Sequence, residues 1–333
     1  MALQCNFTAR GWILFSALTL AGCNMGPGVT GSFDRTYSVT TPARLELANA
    51  SGDVEIVGTA ETIGSADGKV HVHAEVRSSG MGFDNPQKRL DDTIADPPIE
   101  QRGNTIRIGK EMSHIRNLTI SYRIQVPHDI EISTTLASGA QTIIGVRGPL
   151  KAQTASGTIR ADKIDREVQL TTVSGSIEAG NLADDVRVSS ASGSVHLANV
   201  KGDVRVNAIA GSIDVTKPGG RVQADSVSGS VDLRDANGDV KAHAISGRVA
   251  VQGNPAANNY WDLRTVSGGV QLNVPLQASF RLTAEAVTGD IRTDIPIVIE
   301  EQGKHSLRAH LGNGGGRVEV HTVSGEIRIG GAN

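Results

Sequence analysis

Residues able to do chemistry recur in this chain at multiples of eighteen positions. Glu178, Asp214 and Asp232 fall on one such series, and Arg187, Arg205 and Lys241 on another. Stacked carboxylates could gather a hard cation, which asks for six to eight oxygen ligands. Stacked guanidinium and ammonium groups could meet the carboxylates of a glycan or the phosphates of a lipid head. Each series is interrupted, the acidic one by His196 and the basic one by Gln223. A charged, soluble sheet face therefore accounts for either series as well as a site does. His71 and His73 stand two apart and could share Zn²⁺ from one face of a strand, but no third ligand accompanies them. No cofactor is implied, and no metal site is expected.

A polysaccharide-active enzyme would need paired carboxylates or a base in a cleft walled by long loops. Asp262, Arg264, Glu285 and Arg292 are the groups to test, because only segments 253–260 and 294–316 are long enough to raise walls near them. No nucleophile motif is present, and Gly312 to Gly316 do not follow the spacing of a phosphate loop. The expectation is a protein that is not an enzyme, with no catalytic residue to assign.

The N-terminus is set apart from the rest. Its first ten residues carry Arg10 and no acid, the run "GWILFSALTL" is apolar, and "AGCN" follows. This is the order of a secretory signal peptide, too short to span a bilayer. Leu20-Ala21-Gly22-Cys23 resembles the lipobox of bacterial lipoproteins, so residues 1–22 are expected to be removed and Cys23 lipidated. Losing Arg10 takes the formal charge from −3 to −4, and with Cys5 discarded no disulfide can form. Residues 23–32, rich in Gly and Pro, read as a flexible tether. Asn24, in place of the Asp that commonly retains lipoproteins in the inner membrane of Gram-negative bacteria, points to the outer membrane. The near-balanced charge argues against a nucleic-acid partner.

The elements that must position these groups are written in the glycines. Gly139, Gly157, Gly175, Gly193, Gly211, Gly229 and Gly247 are each 18 residues apart, and Gly268, Gly289 and Gly325 continue the series after longer steps. Gly148, Gly202, Gly220 and Gly238 stand midway. Seven, five and two residues before the main glycine are Val168, Leu170 and Val173, then Val186, Val188 and Ala191, then Val204, Val206 and Ile209. Ile177, Ala179 and Leu182 represent the other half. Spacing of two is that of a strand, and helical spacing of three and four is absent.

A fixed period of short strands and turn glycines specifies an all-β parallel solenoid with about 18 residues per coil. It is expected to be right-handed, like other parallel crossovers. All six apolar positions per coil are expected to face inward. Ser174, Ser192, Ser228 and Ser246, each just before a glycine, are expected to satisfy the turn backbone. Residues 33–130 read as a less regular N-terminal β cap with one short helix over 85–96, and 131–330 as the array, with a hairpin added within 294–316.

The ordered set "ASGDVEIVG", "YRIQVPHDIEI", the Gly-Asp and Ser-Gly repeats, and "GRVEVHTVSGEIRI" resembles the DUF4097 family of adhesin-like proteins across residues 40–330. The resemblance implies an all-β repeat domain on a secreted or membrane-anchored bacterial protein, and no catalytic set. One departure is that few of these glycines are followed by an acid: Asp203, Asp239 and Asp290, with Asp53 upstream. Three functions stay open. They are an adhesin-like binding module with a glycan or protein ligand on the solenoid faces, a periplasmic structural or envelope-stress scaffold, and a polysaccharide-active β-helix enzyme.

Overall fold

The computed structural model describes residues 26–59, 67–80, 85–109 and 118–332. The expected signal peptide and Cys23 lie outside the described residues. Among those described are 29 strands and one helix, Pro86–Ala95. No described helix is long and apolar enough to cross a membrane.

The strands form two long sheets of 14 and 15 members, facing each other across one core. In the 15-stranded sheet Val168 pairs with Val186, Val186 with Val204, Val204 with Val222 and Val222 with Val240, all in parallel. In the 14-stranded sheet Ile159, Ile177, Val195, Ile213 and Val231 form the matching column. Each step is 18 residues, so every repeat lays equivalent side chains on top of one another. One coil cannot bury its apolar face alone, and stacking supplies the missing contacts.

The two halves of a coil solve the packing differently. In the 14-stranded sheet, Lys163, Asn181, Asn199, Lys217 and Asp235 all adopt φ of 54–57°. This left-handed residue resets the alternation, so that Ala179 and Leu182, three apart, both reach the core. Asn suits the conformation best, and its amide adds a rung: Asn181 donates to Asp162 at 2.7 Å and Asn199 donates to Asn181 at 3.2 Å. No such residue occurs in the seven-residue strands of the other sheet. Alternation there runs unbroken, placing Val168, Leu170 and Thr172 inside and Val173 outside.

The expectation that all six apolar positions face inward is thereby corrected. The residue two before the glycine is exposed, 58 % in Val173 and 59 % in Ile209. The sixth inward position belongs instead to the small residue three before the glycine: Thr172, Ser190, Ala208, Ser226 and Ala244. The turn hydroxyls need the same correction. Ser190 donates to the Gly193 carbonyl, Thr265 to Gly247 and Thr322 to Gly268. Ser174, Ser192, Ser228 and Ser246 stand exposed beside the turn.

Both ends break sequence order. Ala43–Ser51 and Val54–Thr59 form a complete coil inside the region expected as a cap. Thr105–Ile108 and Leu118–Pro127 stack on its outer side. Antiparallel strands then close this end: Ile99–Arg102 on one sheet, Asp67–Gly80 and Gly26–Thr40 on the other. Residues 26–32, expected in the tether, therefore belong to a strand. Helix Pro86–Ala95 starts where expected, capped by the Asn85 side chain accepting from the amides of Gln87 and Lys88, and it lays Leu90 and Ile94 over Gly31.

At the far end the last coil, Gly316–Ser324 with Ile327–Gly331, slips between Tyr260–Ser267 with Val270–Val274 and Phe280–Thr288 with Ile291–Thr293. The expected hairpin is present: Val298–Gln302 pairs antiparallel with Ser306–Leu311, which pairs with Phe280–Thr288.

Candidate functional site

The exposed column and the bend beside it make a long groove on the 15-stranded sheet. Across each strand, the residue four before the glycine forms one wall, the small inward residue forms the floor, and the residue two before it forms the other wall. The second wall is aliphatic throughout: Val173, Ala191, Ile209, Val227, Ile245, Val266, Val323 and Val287. The groove encloses about 1190 Å³ and crosses eight coils. At the strand spacing of about 4.8 Å its length is roughly 34 Å. An exposed aliphatic strip of this extent is rare on a monomer unless something binds there.

The first wall changes character along the axis. Thr171, Ser189 and Asn207 are neutral, and after them come Asp225, His243, Arg264, His321 and Glu285. These charged groups are tied to one another and to Asp262. Nδ1 of His243 lies 3.4 Å from Asp225, and its Nε2 lies 3.3 Å from Asp262. Asp262, only 8 % exposed in its side chain, also accepts from Nε of Arg264 at 2.6 Å. His321 stands 3.5 Å from Glu285. His305 closes the end, with Nδ1 at 3.2 Å from the Gly289 carbonyl.

Beside this end, Tyr260 donates to Glu319 at 2.6 Å, and its ring lies under the Arg317 guanidinium. That hydrogen bond, helped by Arg317 and His321, holds the Glu319 carboxyl below its ordinary range against the opposing effect of burial. The same bond raises the Tyr260 phenol.

The candidates read from sequence are placed as follows. Arg187 pairs across strands with Arg205, Arg205 with Gln223 and Gln223 with Lys241, so the basic column is continuous in register. Arg187 is claimed by Glu167, while no carboxylate lies within ion-pair distance of Arg205 among the described residues. The acidic column is likewise in register, through His196. Its members face cations rather than each other: Glu178 takes Arg160 at 2.6 Å, Asp214 takes Arg234 at 3.3 Å, and Asp232 takes Arg248 at 3.3 Å. His71 bonds Thr36 and His73 bonds Asp34, separately. Among the described residues no group of three or more potential ligands is placed to hold a metal. Glu285 and Asp262 each answer a neighbouring base, and Arg292 is divided between Asp290 and Glu326.

The acid after a turn has a role that sequence reasoning missed. Asp185 accepts the amide of Asp203, which in turn accepts that of Arg221, each at 2.8 Å. Asp53 does the same for Ala140 and Asp239 for Tyr260. Each carboxylate fastens its coil to the equivalent residue of the next one.

The two long sheets of parallel strands stacked at a constant step define a parallel β-solenoid of the repeat-protein class. Residues 180–330 match the model of the family described as Toastrack DUF4097. No curated protein matches the sequence. Among solved structures the chain is similar to a candidate lipid binding protein from Parabacteroides distasonis, at 12 % identity over 91 % of this chain and 97 % of that one, with a TM-score of 0.35. It is also similar to a candidate adhesin from Bacteroides fragilis, at 14 % identity, the same coverage and a TM-score of 0.33. A candidate cell adhesion protein from Clostridium sporogenes gives 12 % identity over 91 % and 100 %, with a TM-score of 0.20. Superpositions this loose carry no functional argument.

Proposed function

We propose that the protein is a non-catalytic, adhesin-like binding module of the cell envelope, held to the outer membrane through lipidated Cys23, that takes its partner along the groove. The observation that carries this reading is the exposed aliphatic column from Val173 to Val287. Water contact with that column is costly, and burying it under a partner recovers about 25 cal/mol per Å² of apolar surface. The core position beside each is already filled by the adjacent inward residue, so these side chains add strand propensity without being the core contact. The charged side chains nearest the groove are partnered among themselves, His243 with Asp225 and Asp262, Arg264 with Asp262, and His321 with Glu285.

Two variants test the reading in cells. Cys23→Ser should move the protein from the membrane to the soluble fraction. Ile209→Asp/Ile245→Asp, at two exposed positions, should leave the protein in the membrane at normal levels but lower the attachment of producing cells to neighbouring cells. Unchanged attachment would remove the groove as the binding surface, and an unchanged distribution for Cys23→Ser would remove the anchor.

A further inference from the structure

We propose that Asn313 is a site of spontaneous deamidation and isoaspartate formation, and that the fold directs this chemistry to Asn313 and away from Asn237. The inference is independent of the groove and of the anchor.

An asparagine followed by glycine can cyclise. The backbone nitrogen of the glycine attacks Cγ of the asparagine and a C–N bond forms. The carboxamide nitrogen leaves as ammonia, taking the proton of the glycine amide. Water then opens the succinimide at either carbonyl to give aspartate or isoaspartate, with no change of oxidation state. Glycine favours the step because it has no Cβ to hinder the approach. Asn precedes Gly at two places in the chain, Asn237–Gly238 and Asn313–Gly314. Both asparagines are exposed, so accessibility does not separate them.

Hydrogen bonding does. Asn237 lies in a turn clamped between coils. Its carboxamide donates to the Asp235 carbonyl at 3.1 Å, and its own carbonyl accepts from Asn259 at 2.5 Å. The Gly238 carbonyl accepts from the indole of buried Trp261 at 2.8 Å. Gly238 also sits so close to the next coil that an added Cβ would stand 2.4 Å from the Gly220 carbonyl oxygen. Turning this peptide into position for attack breaks those contacts. At Asn313 the carboxamide makes no hydrogen bond among the described residues. The attacking Gly314 amide has a single long bond, 3.4 Å to the Leu311 carbonyl. An added Cβ on Gly314 would meet nothing closer than 3.6 Å, so this peptide has room to turn.

The product alters the loop that joins the hairpin strand Ser306–Leu311 to the last coil. The Asn313 and Gly315 amides both donate to Ser279 Oγ, at 3.0 and 3.2 Å. Isoaspartate inserts a methylene into the main chain between those two amides and so strains the clasp. Either product adds a carboxylate beside Arg281, whose guanidinium has no acid within ion-pair distance among the described residues.

The test ages the full chain at neutral and at mildly alkaline pH. Tryptic peptides Asp235–Lys241 and Ala309–Arg317 are then followed by mass spectrometry and by protein isoaspartate methyltransferase labelling, with an unaged sample as background. Isoaspartate should accumulate in Ala309–Arg317 about tenfold faster or more, because Asn237 must first break its bonds. The rate should rise with pH, since the nitrogen attacks in its deprotonated form. In urea the two rates should converge. Gly314→Ala should suppress the product while circular dichroism equal to wild type verifies the fold. Equal rates in the folded chain, or a preference for Asn313 that persists in urea, would overturn the selection by the fold. Aspartate formed without isoaspartate would overturn the cyclisation, and an unaltered Asn313 would overturn the site.

Discussion

Substituting Gly193 with alanine should separate the coils, and the cost can be worked out from its surroundings. Gly193 has φ of +132°, a region that L side chains rarely enter. Holding alanine there costs about 1–3 kcal/mol. An added Cβ would stand 2.0 Å from the Gly175 carbonyl oxygen and 2.6 Å from its carbon. Both are backbone atoms of the neighbouring coil, so no rotamer change relieves the clash, and forced displacement in a packed interior costs about 1–3 kcal/mol more. The Gly193 amide donates to the Ala210 carbonyl at 3.0 Å, and the Gly175 amide donates to Ser192 at 3.0 Å. Stretching either loses up to about 1 kcal/mol. The sum is a destabilisation of about 2–7 kcal/mol. Gly180 supplies the control from the same coil. An added Cβ there meets nothing closer than 3.6 Å, so Gly180→Ala should fall within about 1 kcal/mol of wild type. Urea unfolding followed by circular dichroism measures both, with midpoint and slope read together because repeat arrays unfold as coupled neighbours. Equal midpoint shifts in the two variants would refute the claim that the glycine column is a steric requirement.

Two further outcomes follow from single side chains. The Ser226 hydroxyl is buried with no hydrogen-bond partner, and its column neighbours are Ala208 and Ala244. Ser226→Ala should therefore be neutral or stabilising by up to about 1 kcal/mol, and a clear loss in thermal midpoint would show that its hydroxyl has a partner after all. Glu319 has its folded-state pKa depressed, chiefly by the Tyr260 hydroxyl. It therefore contributes stability above its unfolded pKa, and that stability is lost as pH falls through the lower folded value. Tyr260→Phe should cost roughly 0.5–1.5 kcal/mol near pH 7, and the difference from wild type should shrink below about pH 4. A pH-independent difference would mean that the phenol acts through packing alone.

Much of this architecture is legible because a solenoid writes its geometry into a period. The glycine series and the pairs such as Val204 and Val206 yield strand, register and stacking without tertiary information, since the next coil is the template for the last. The columns of Arg187 with Arg205, and of Asp214 with Asp232, follow from the same arithmetic and are found in register. What the period leaves out is whether a strand keeps its alternation. Val173 and Leu182 look alike as the third apolar residue of a half-coil, yet one lies in water and the other in the core. Parity separates them: Val173 is an odd number of residues from Leu170, so an unbroken strand turns it outward. Leu182 is also an odd step from Ala179, but Asn181 at φ 54° takes up the difference. The signal for that reversal was present in the recurring Asn, Asp and Lys six residues after the glycine, which are tolerable as left-handed residues where Val and Ile are not. Strand order at the ends was illegible for another reason. The last coil slips between its two predecessors, and eighteen-residue spacing cannot distinguish that arrangement from a simple continuation. The groove thus depends on the one position where the repeat is apolar, the strand is regular and the core is already full.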